Sequence, residues 1–588
     1  MRSGELRAPQ TPKEKSLQPD ACVADTVANA LKRHQVTSIF GQSIPSALML
    51  ACQDIGIRQV VYRTENAGAA MADGFARLSG RIGVVAAQNG PAATLLVPGL
   101  AEALKSSIPI LAIVQDVARS GVDRNAFQEL DHIALFFGCA KWVRRVASAD
   151  RIDDYVDMAI AAATTGRPGP AVIIIPMDLF VERAPPATDR TMSLGTFPLD
   201  RTCASSADIE RAAELLHNAR QPVIIAGGGI HLSQAHDALA RLQELSGIPV
   251  GTTVMGKGSV DEGHPLSLGV VGYIMGHRSA SRHLRDIVED ADVVLLVGTR
   301  TAQNGTDSWR LYPRNAKYIH VDIDGLEVGR NYEAIRLVGD AKLTLEALTQ
   351  SLAARDVPKT SLRRSRIETK IAGARQLHQQ DAADVTASSR SPIRPERIMA
   401  EVQKHLSPDV ITVADASYSS VWIANYLRAS QPGMRFITPR GLAGLGWGLP
   451  LALGAKCARP NNTVLCFVGD GGFGHVWSEL ETAVREKLKV IITVFNNQVL
   501  GYQKDAEDER HGRHTDACYF SPVDHAAIAR ACGCAGIRIE TADAYGVALA
   551  AALNLDGPTL LDVVTDPEAY PPLTIFDDRV DAVRAARS

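Results

Sequence analysis

The chain lacks most of the features that announce a large or charged partner. There is no surplus of charge: a net −3 over 588 residues gives nothing that points to nucleic acid or to an anionic membrane. There is no clustering of cysteine. Of nine cysteines only Cys532 and Cys534 lie close, and without a second pair they make no metal-ligand set, so a reduced, cytoplasmic compartment is expected. No run of about 18 apolar residues appears, so no membrane-spanning helix is expected. The first twenty residues, MRSGELRAPQTPKEKSLQPD, have no apolar stretch to serve as a secretory signal and read as a disordered tail. What remains is the composition of an ordinary globular protein, 46% hydrophobic and 22% charged. At ~150 residues per domain the length suggests three or four domains.

Short apolar runs alternate with helical patterns almost throughout. From 21 to 186, Thr37 to Gly41, Val60 to Tyr62, Gly83 to Ala86, Ile108 to Val114 and Ala171 to Ile175 read as strands. A Pro-rich, charged stretch from Val181 to Ser206 reads as a linker. Residues 207–350 alternate again, with Val223 to Ala226 running into Gly227-Gly228-Gly229 and Val293 to Val297 into Gly298. Residues 351–392 are charged, polar and free of aromatics, a second linker with some helical content, and residues 393–571 form the last unit. Strands alternating with helices predict an α/β protein of three doubly wound, parallel-sheet domains.

Two stretches carry chemistry. In Val464 to Gly501 an apolar run breaks into Gly469-Asp470-Gly471-Gly472, and a second run, Val490 to Phe495, ends in Asn496-Asn497. This β–α–β pattern puts Asp470 and Asn497 at the carboxyl ends of parallel strands, where open α/β sheets bind ligands. The glycines let the backbone approach a phosphate, and the two side chains offer hard oxygen ligands to Mg²⁺. An ordinary glycine-rich turn is the alternative. The other stretch, Arg63 to Arg77, opens on Glu65 and continues as a helix rich in small residues. Taken alone, Glu65 reads sooner as a solvated carboxylate at a helix N-terminus, where the macrodipole favours negative charge, than as a functional group.

Together the two stretches resemble the thiamine diphosphate (ThDP) enzymes, whose signature is Gly-Asp-Gly followed after just under thirty residues by Asn-Asn. Asp470 and Asn497 lie 27 positions apart. The resemblance implies Mg²⁺ held by Asp470, Asn497 and the Val499 carbonyl. It counts Gly469, Gly471, Gly472 and Gly501 among the cofactor-binding residues, and makes Glu65 the partner of N1′ of the aminopyrimidine ring. Thr438 to Pro450 resembles the family's pyrimidine-binding segment, which assigns Leu445 as the apolar wedge that bends the cofactor and the Ala443 carbonyl as acceptor for its 4′-amino group. Core packing is the other reading of Leu445.

The likeness runs from about Ala21 to Pro571 and is closest to the acetolactate synthase branch, through Ala126-Phe127-Gln128-Glu129, Cys139-Ala140-Lys141-Trp142 and Thr165 to Pro170. It implies pyrimidine-binding, central and diphosphate-binding domains, and decarboxylation of a small 2-oxo acid with ligation of the resulting enamine to a carbonyl acceptor. It also implies a homodimer or homotetramer with active sites between subunits. Two segments expected to face the reacting carbon depart from the branch, Gln42 to Ser46 and Ala87 to Ala92. The second is similar to the sulfoacetaldehyde acetyltransferase version, so acetyl transfer, simple decarboxylation and C–C hydrolysis stay open. Gln88 and Gln128 join Glu65 as candidate catalytic residues. Arg440, where the branch has a small residue, reads either as a carboxylate receptor or as a surface arginine. His475 reads as a neighbour of the diphosphate or a helix cap, and His511, His514 and His525 lack metal-ligand spacing. In the central domain Arg300 to Asn304 replaces the branch's Arg-Phe-Asp-Asp-Arg string, which leaves FAD binding and a fold kept without flavin both open. A similar string, Phe576 to Arg579, lies in the wrong domain.

Overall fold

A computed structural model describes residues 21–185, 189–355 and 358–577, with the side chains of 358–362 left out. The expected N-terminal tail therefore lies outside the described residues, as does the end of the Phe576 to Arg579 string. Among the described residues the strands form three six-stranded sheets, and every ladder within them is parallel. The first holds β1 (Ser38–Gly41), β2 (Arg58–Val60), β3 (Gly83–Ala87), β4 (Ile110–Asp116), β5 (Trp142–Arg145) and β6 (Ala171–Pro176). The second holds β7 (Pro222–Ala226), β8 (Val250–Thr252), β9 (Ser267–Val270), β10 (Val293–Val297), β11 (Lys317–Asp322) and β12 (Ala334–Val338). The third holds β13 (Ile411–Ala414), β14 (Arg435–Ile437), β15 (Val464–Gly469), β16 (Ile491–Asn496), β17 (Ala535–Ile539) and β18 (Thr559–Val564). The central strands are continuous Val/Ile/Leu runs buried along their length, the pattern of parallel sheets covered on both faces. Between the second and third sheets, Pro358–Thr386 forms a 29-residue helix.

Strand order decides where ligands can enter. The first sheet runs β2-β1-β3-β4-β6-β5 and the third repeats it as β14-β13-β15-β16-β18-β17. In this order the chain reverses direction of travel between the first and third strands of each unit, opening a crevice at their carboxyl ends. The second sheet, β12-β11-β10-β7-β8-β9, reverses instead between β7 and β10. Glycines meet there: a Cβ on Gly229 would stand 2.6 Å from the Gly298 Cα.

The first and third units share one hydrophobic cluster. The helix Glu65–Ser79 lies on the helix Gly448–Ala458 with backbones nearly touching: a Cβ on Gly74 would fall 2.2 Å from the Leu451 carbonyl oxygen, and one on Gly454 only 1.9 Å from that of Met71. Only glycine permits that approach. β2 ends at Val60 rather than running through Tyr62. The N–H groups of Arg63 and Thr64 go to Glu479 of the third unit, and the Tyr62 hydroxyl bonds the Ala86 carbonyl 2.8 Å away.

Candidate active site

The residues singled out from the sequence gather at the crevices of the first and third sheets. In the third, β13 delivers Asp415 and β15 delivers Asp470, the two flanks of the crevice. Asp470 is buried. One of its oxygens accepts the Gln498 N–H at 2.6 Å and the other the Gly471 N–H at 2.9 Å, while burial pushes its pKa up to about 6. A carboxylate destabilised in this way gains most from a cation. The neighbouring donors are neutral oxygens: Asn497 at the end of β16, whose Oδ1 accepts the Val499 N–H at 3.2 Å, and the Val499 carbonyl. One carboxylate, one amide oxygen and one peptide carbonyl make a hard-oxygen set that suits Mg²⁺. Beside them Gly469 faces open space, the nearest atom to a Cβ there being Ser419 Oγ at 3.9 Å. The residues therefore fit a metal-bridged diphosphate. Gly471 and Gly501 are wedged against Phe520 and Tyr418, where a Cβ would come within 2.8 Å and 3.0 Å of the rings.

Asp415, noted in the sequence only as a strand-end residue, organises the next segment. Fully buried, it accepts the N–H groups of Gly446 at 2.9 Å, Trp447 at 3.1 Å and Ala416 at 2.9 Å. This fixes the turn just after Leu445. From the other side Glu102, in the helix Pro91–Ser106, accepts the N–H groups of Gly441, Leu442 and Ala443 at 2.7, 2.5 and 3.3 Å. Ala443 is held at φ +59°, a left-handed conformation that an alanine adopts only when its surroundings impose it. Leu445 is half-buried and stands outside the hydrophobic clusters, so core packing does not account for it.

In the first sheet, Glu65 opens its helix, with Thr64 as N-cap accepting the Ala67 N–H. The carboxyl group is buried, and desolvation raises its pKa. It is therefore not the solvated carboxylate of the alternative reading. Glu479, also buried, sets the approach by accepting the Arg63 and Thr64 N–H groups at 3.1 Å. β3 delivers Gln88 and Asn89. Gln88 Nε2 donates to Gln128 Oε1 at 2.9 Å, so two residues suggested separately form one pair. Asn89 Nδ2 donates to the Phe127 and Gln128 carbonyls, at 3.3 and 3.0 Å. Behind them His132 Nε2 accepts the Gly90 N–H at 3.0 Å, so its Nδ1 carries the proton facing Asp116 at 3.1 Å, and Asp116 in turn binds Arg145. No motif in the sequence pointed to Glu102, Glu479 or His132.

The other histidines stand apart. His475 is exposed, with its Cβ against Gly446. His514 bonds Asp508 and Tyr519, and His525 accepts from Trp477 Nε1. Among the described residues no three His, Cys, Asp or Glu side chains gather as a metal cluster, and all nine cysteines are free. No hydrogen bond or ion pair among the described residues ties Glu65 or the Gln88–Gln128 pair to the 443–445 segment or the 469–501 loops. In the central unit a cavity of about 390 Å³ opens at the β7/β10 crevice, lined by Gly228, Gly298, Arg300 and Asp322 and reaching Tyr273 and Arg440.

The two crevices share one topology, one with a buried glutamate and one with a glycine-lined set of oxygens. Family models agree unit by unit. The N-terminal TPP binding domain of thiamine pyrophosphate enzymes matches residues 22–135, the central domain 209–348 and the C-terminal TPP binding domain 415–563. The chain belongs to the thiamine pyrophosphate enzymes. Within them it stands on the acetolactate synthase-like branch. It is 32% identical to a probable acetolactate synthase large subunit of Methanococcus aeolicus, over 95% of each chain, and 33% identical to that of Methanocaldococcus jannaschii, over 93% of each. It is 31% identical to the acetolactate synthase isozyme 2 large subunit of Escherichia coli, over 92% of this chain and 95% of that one. Its chemistry is ThDP-dependent decarboxylation with carboligation. Among the described residues no helix is long and apolar enough to cross a membrane.

Proposed function

We propose that the protein decarboxylates pyruvate or a similar small 2-oxo acid and joins the remaining acyl unit to a second carbonyl compound, releasing more 2-hydroxyketone than free aldehyde. The observation that carries this reading is the Gln88–Gln128 pair. The segment expected to face the reacting carbon presents amides bonded to one another, and the nearby His132 spends its Nε2 on the Gly90 N–H. A group that must protonate a carbanion is missing from this set, whereas amides can hold a second carbonyl by hydrogen bonds. An acceptor without matching polar groups would leave them unpaired, at about 1–3 kcal/mol each. Chromatography of the products formed from pyruvate tests it: mostly aldehyde, with or without added acceptor, overturns it.

In this reading Glu65 shares a proton with N1′ of the bound ring, and burial, by raising its pKa, favours the protonated form that such sharing needs. Asp470, Asn497 and the Val499 carbonyl hold Mg²⁺, the Gly469, Gly471, Gly472 and Gly501 backbone receives the diphosphate, the Ala443 carbonyl receives the 4′-amino group, and Leu445 is the wedge. Bound there, ThDP supplies the electron sink that lets the carboxylate leave as CO₂.

The site is assembled between two copies in a homodimer or homotetramer. Large apolar side chains support this, with Phe127, next to Gln128, 84% exposed, Phe137, at the end of the helix His132–Phe137, 82% exposed, and Leu442, Tyr519 and Phe520 exposed in the third unit. Patches of this kind on a folded chain mark an interface. The central cavity keeps its fold with little or no flavin, because Thr301 to Asn304 replaces the Phe-Asp-Asp-Arg that follows the first arginine in the branch. Purified protein should lack stoichiometric flavin absorbance, and one flavin per chain refutes that. The compartment proposed is the cytoplasm.

A further inference from the structure

A second cavity, of about 340 Å³, lies where the three units meet. It borders the central cavity along Arg77, His231 and Arg435, but it opens at the amino ends of the third sheet, where Ile411 starts β13 and Arg435 starts β14. It therefore faces away from the crevice that holds Asp470. The first unit contributes Arg77, from the last turn of the helix Glu65–Ser79, and the central unit His231 and His236. The third unit adds Arg435 and also Arg459, which follows the helix Gly448–Ala458. Three arginines and two histidines line the space, and among the described residues no Asp or Glu does.

Two of these arginines lack a counter-charge. Arg77 is neutralised by Asp73. Arg459 spends its Nε on the Leu78 carbonyl at 3.1 Å, a neutral partner. Arg435 makes no hydrogen bond and no ion pair among the described residues. Burial, with Arg77 and Arg459 beside it, pushes its pKa down to about 10. Arg440, five residues further on, is held instead by the Tyr273 hydroxyl and Ser420 Oγ and is not a surface arginine. The histidines bring no charge at neutral pH, since burial and the nearby Arg435 push the pKa of His236 down to about 4 and lower that of His231 too. A cation opposed by its own surroundings, on a wall of one sign, costs stability until an anion arrives from outside.

We propose that this junction binds a phosphate group, as inorganic phosphate or as the end of a small phosphomonoester, on the guanidinium groups of Arg435 and Arg459. Two uncompensated guanidinium groups match a dianion, and their planar N–H forks suit phosphate oxygens. Small-ligand sites span about 300–1,000 Å³, so the volume here leaves room for an organic substituent on the phosphate. The inference stands apart from the carboligation reading, because it uses no residue of the catalytic crevices. The lining comes from all three units, so a bound anion joins them and should stabilise the folded chain by mass action.

The test uses the full chain in phosphate-free buffer with saturating ThDP and Mg²⁺, so that the diphosphate-binding loops are already filled. Inorganic phosphate and glycerol 3-phosphate are titrated in by calorimetry and by thermal unfolding. Binding of one anion per chain, with a rise in the unfolding midpoint, is expected. Tighter binding of glycerol 3-phosphate assigns the group to an ester, and equal or weaker binding assigns it to free phosphate. Arg435→Gln should weaken binding by about 10–100-fold, the worth of a charge-assisted hydrogen bond. The same variant should raise the midpoint without phosphate, because an opposed cation is gone, whereas loss of an arginine with a purely structural role would lower it. Arg459→Gln, which touches this cavity alone, should also weaken binding, and Arg300→Gln, which touches the central cavity alone, should not. A wild type that binds neither probe overturns the proposal, as does binding that Arg435→Gln leaves unchanged. Weakening by Arg300→Gln with none by Arg459→Gln places the anion in the central cavity and overturns it as well.

Discussion

The first and third units are built to the same plan and differ where they do chemistry. Strand order is shared, and so is the mutual anchoring: Glu102 of the first unit accepts backbone N–H groups at 441–443, and Glu479 of the third accepts those at 63 and 64. The helix contact is reciprocal as well, Gly74 against Leu451 and Gly454 against Met71. At the two crevices the likeness stops. The first unit presents a buried carboxyl group and neutral amides, the third a carboxylate with neutral oxygens and close-packed glycines. The frame is therefore set by packing, which tolerates little variation. The residues just past the strand ends differ between the units, a buried carboxyl group and amides in one, a carboxylate with neutral oxygens in the other.

The largest effects should come from exchanging what the halves do not share. Glu65→Gln keeps ThDP binding and slows turnover by about 10²–10⁴-fold, the range for losing an acid–base group. Asp470→Ala does the reverse and abolishes tight ThDP–Mg²⁺ binding, with Asn497→Ala milder because it removes a neutral ligand. Turnover at saturating cofactor, paired with calorimetry, tests the division. It breaks if Glu65→Gln runs at wild-type speed or if Asp470→Ala binds as tightly as wild type.

The next effects test the likeness. Gly74→Ala and Gly454→Ala each press a methyl group into a carbonyl, and each should cost about 1–3 kcal/mol or more in denaturant unfolding. A large loss in one with none in the other would mean that the two units share topology but not packing.

Smaller still is the effect of the anchoring glutamates. Glu479→Gln and Glu102→Gln keep the shape and weaken charge-assisted bonds, by about 1–3 kcal/mol in total. The first should lower turnover through Glu65. The second should weaken ThDP binding through the 441–443 segment. Identical kinetic signatures would show that neither anchor acts on its own half.

Parallel ladders, three units and the strand-end positions of Glu65, Gln88, Asp470 and Asn497 were legible because each depends on local pattern: an apolar run, a break, then the residue in question. The anchors were not. Glu102 and Glu479 bind peptide N–H groups more than three hundred residues away in sequence, and a backbone amide has no residue identity to recognise. Asp415 looked like any residue ending a strand, and its bonds from the Gly446 and Trp447 N–H groups appear only once that turn folds back on it. Arg440 stayed ambiguous for the same reason, since Tyr273 and Ser420 reach it from distant segments. β2 stopped short of its apolar run because Glu479 takes over the N–H groups just beyond it.

The paired glycines also bear on how the molecule can move. Backbone pressed against backbone leaves no side chain between the two helices to change rotamer, so a slip of even an ångström between the units has no soft coordinate to absorb it. A hinge between the first and third units is thereby ruled out as the means of enclosing substrate. Compliance must lie at the periphery, in pieces such as residues 498–520, which close on themselves through the Leu500 N–H to Cys518 and Phe520 N–H to Gln498 bonds and meet the rest through a few contacts, among them Gln498 to Asp470, Asp505 to Tyr418 and Lys504 to Glu568. Small-angle scattering with and without ligand should thus superimpose, while hydrogen exchange in 498–520 should slow.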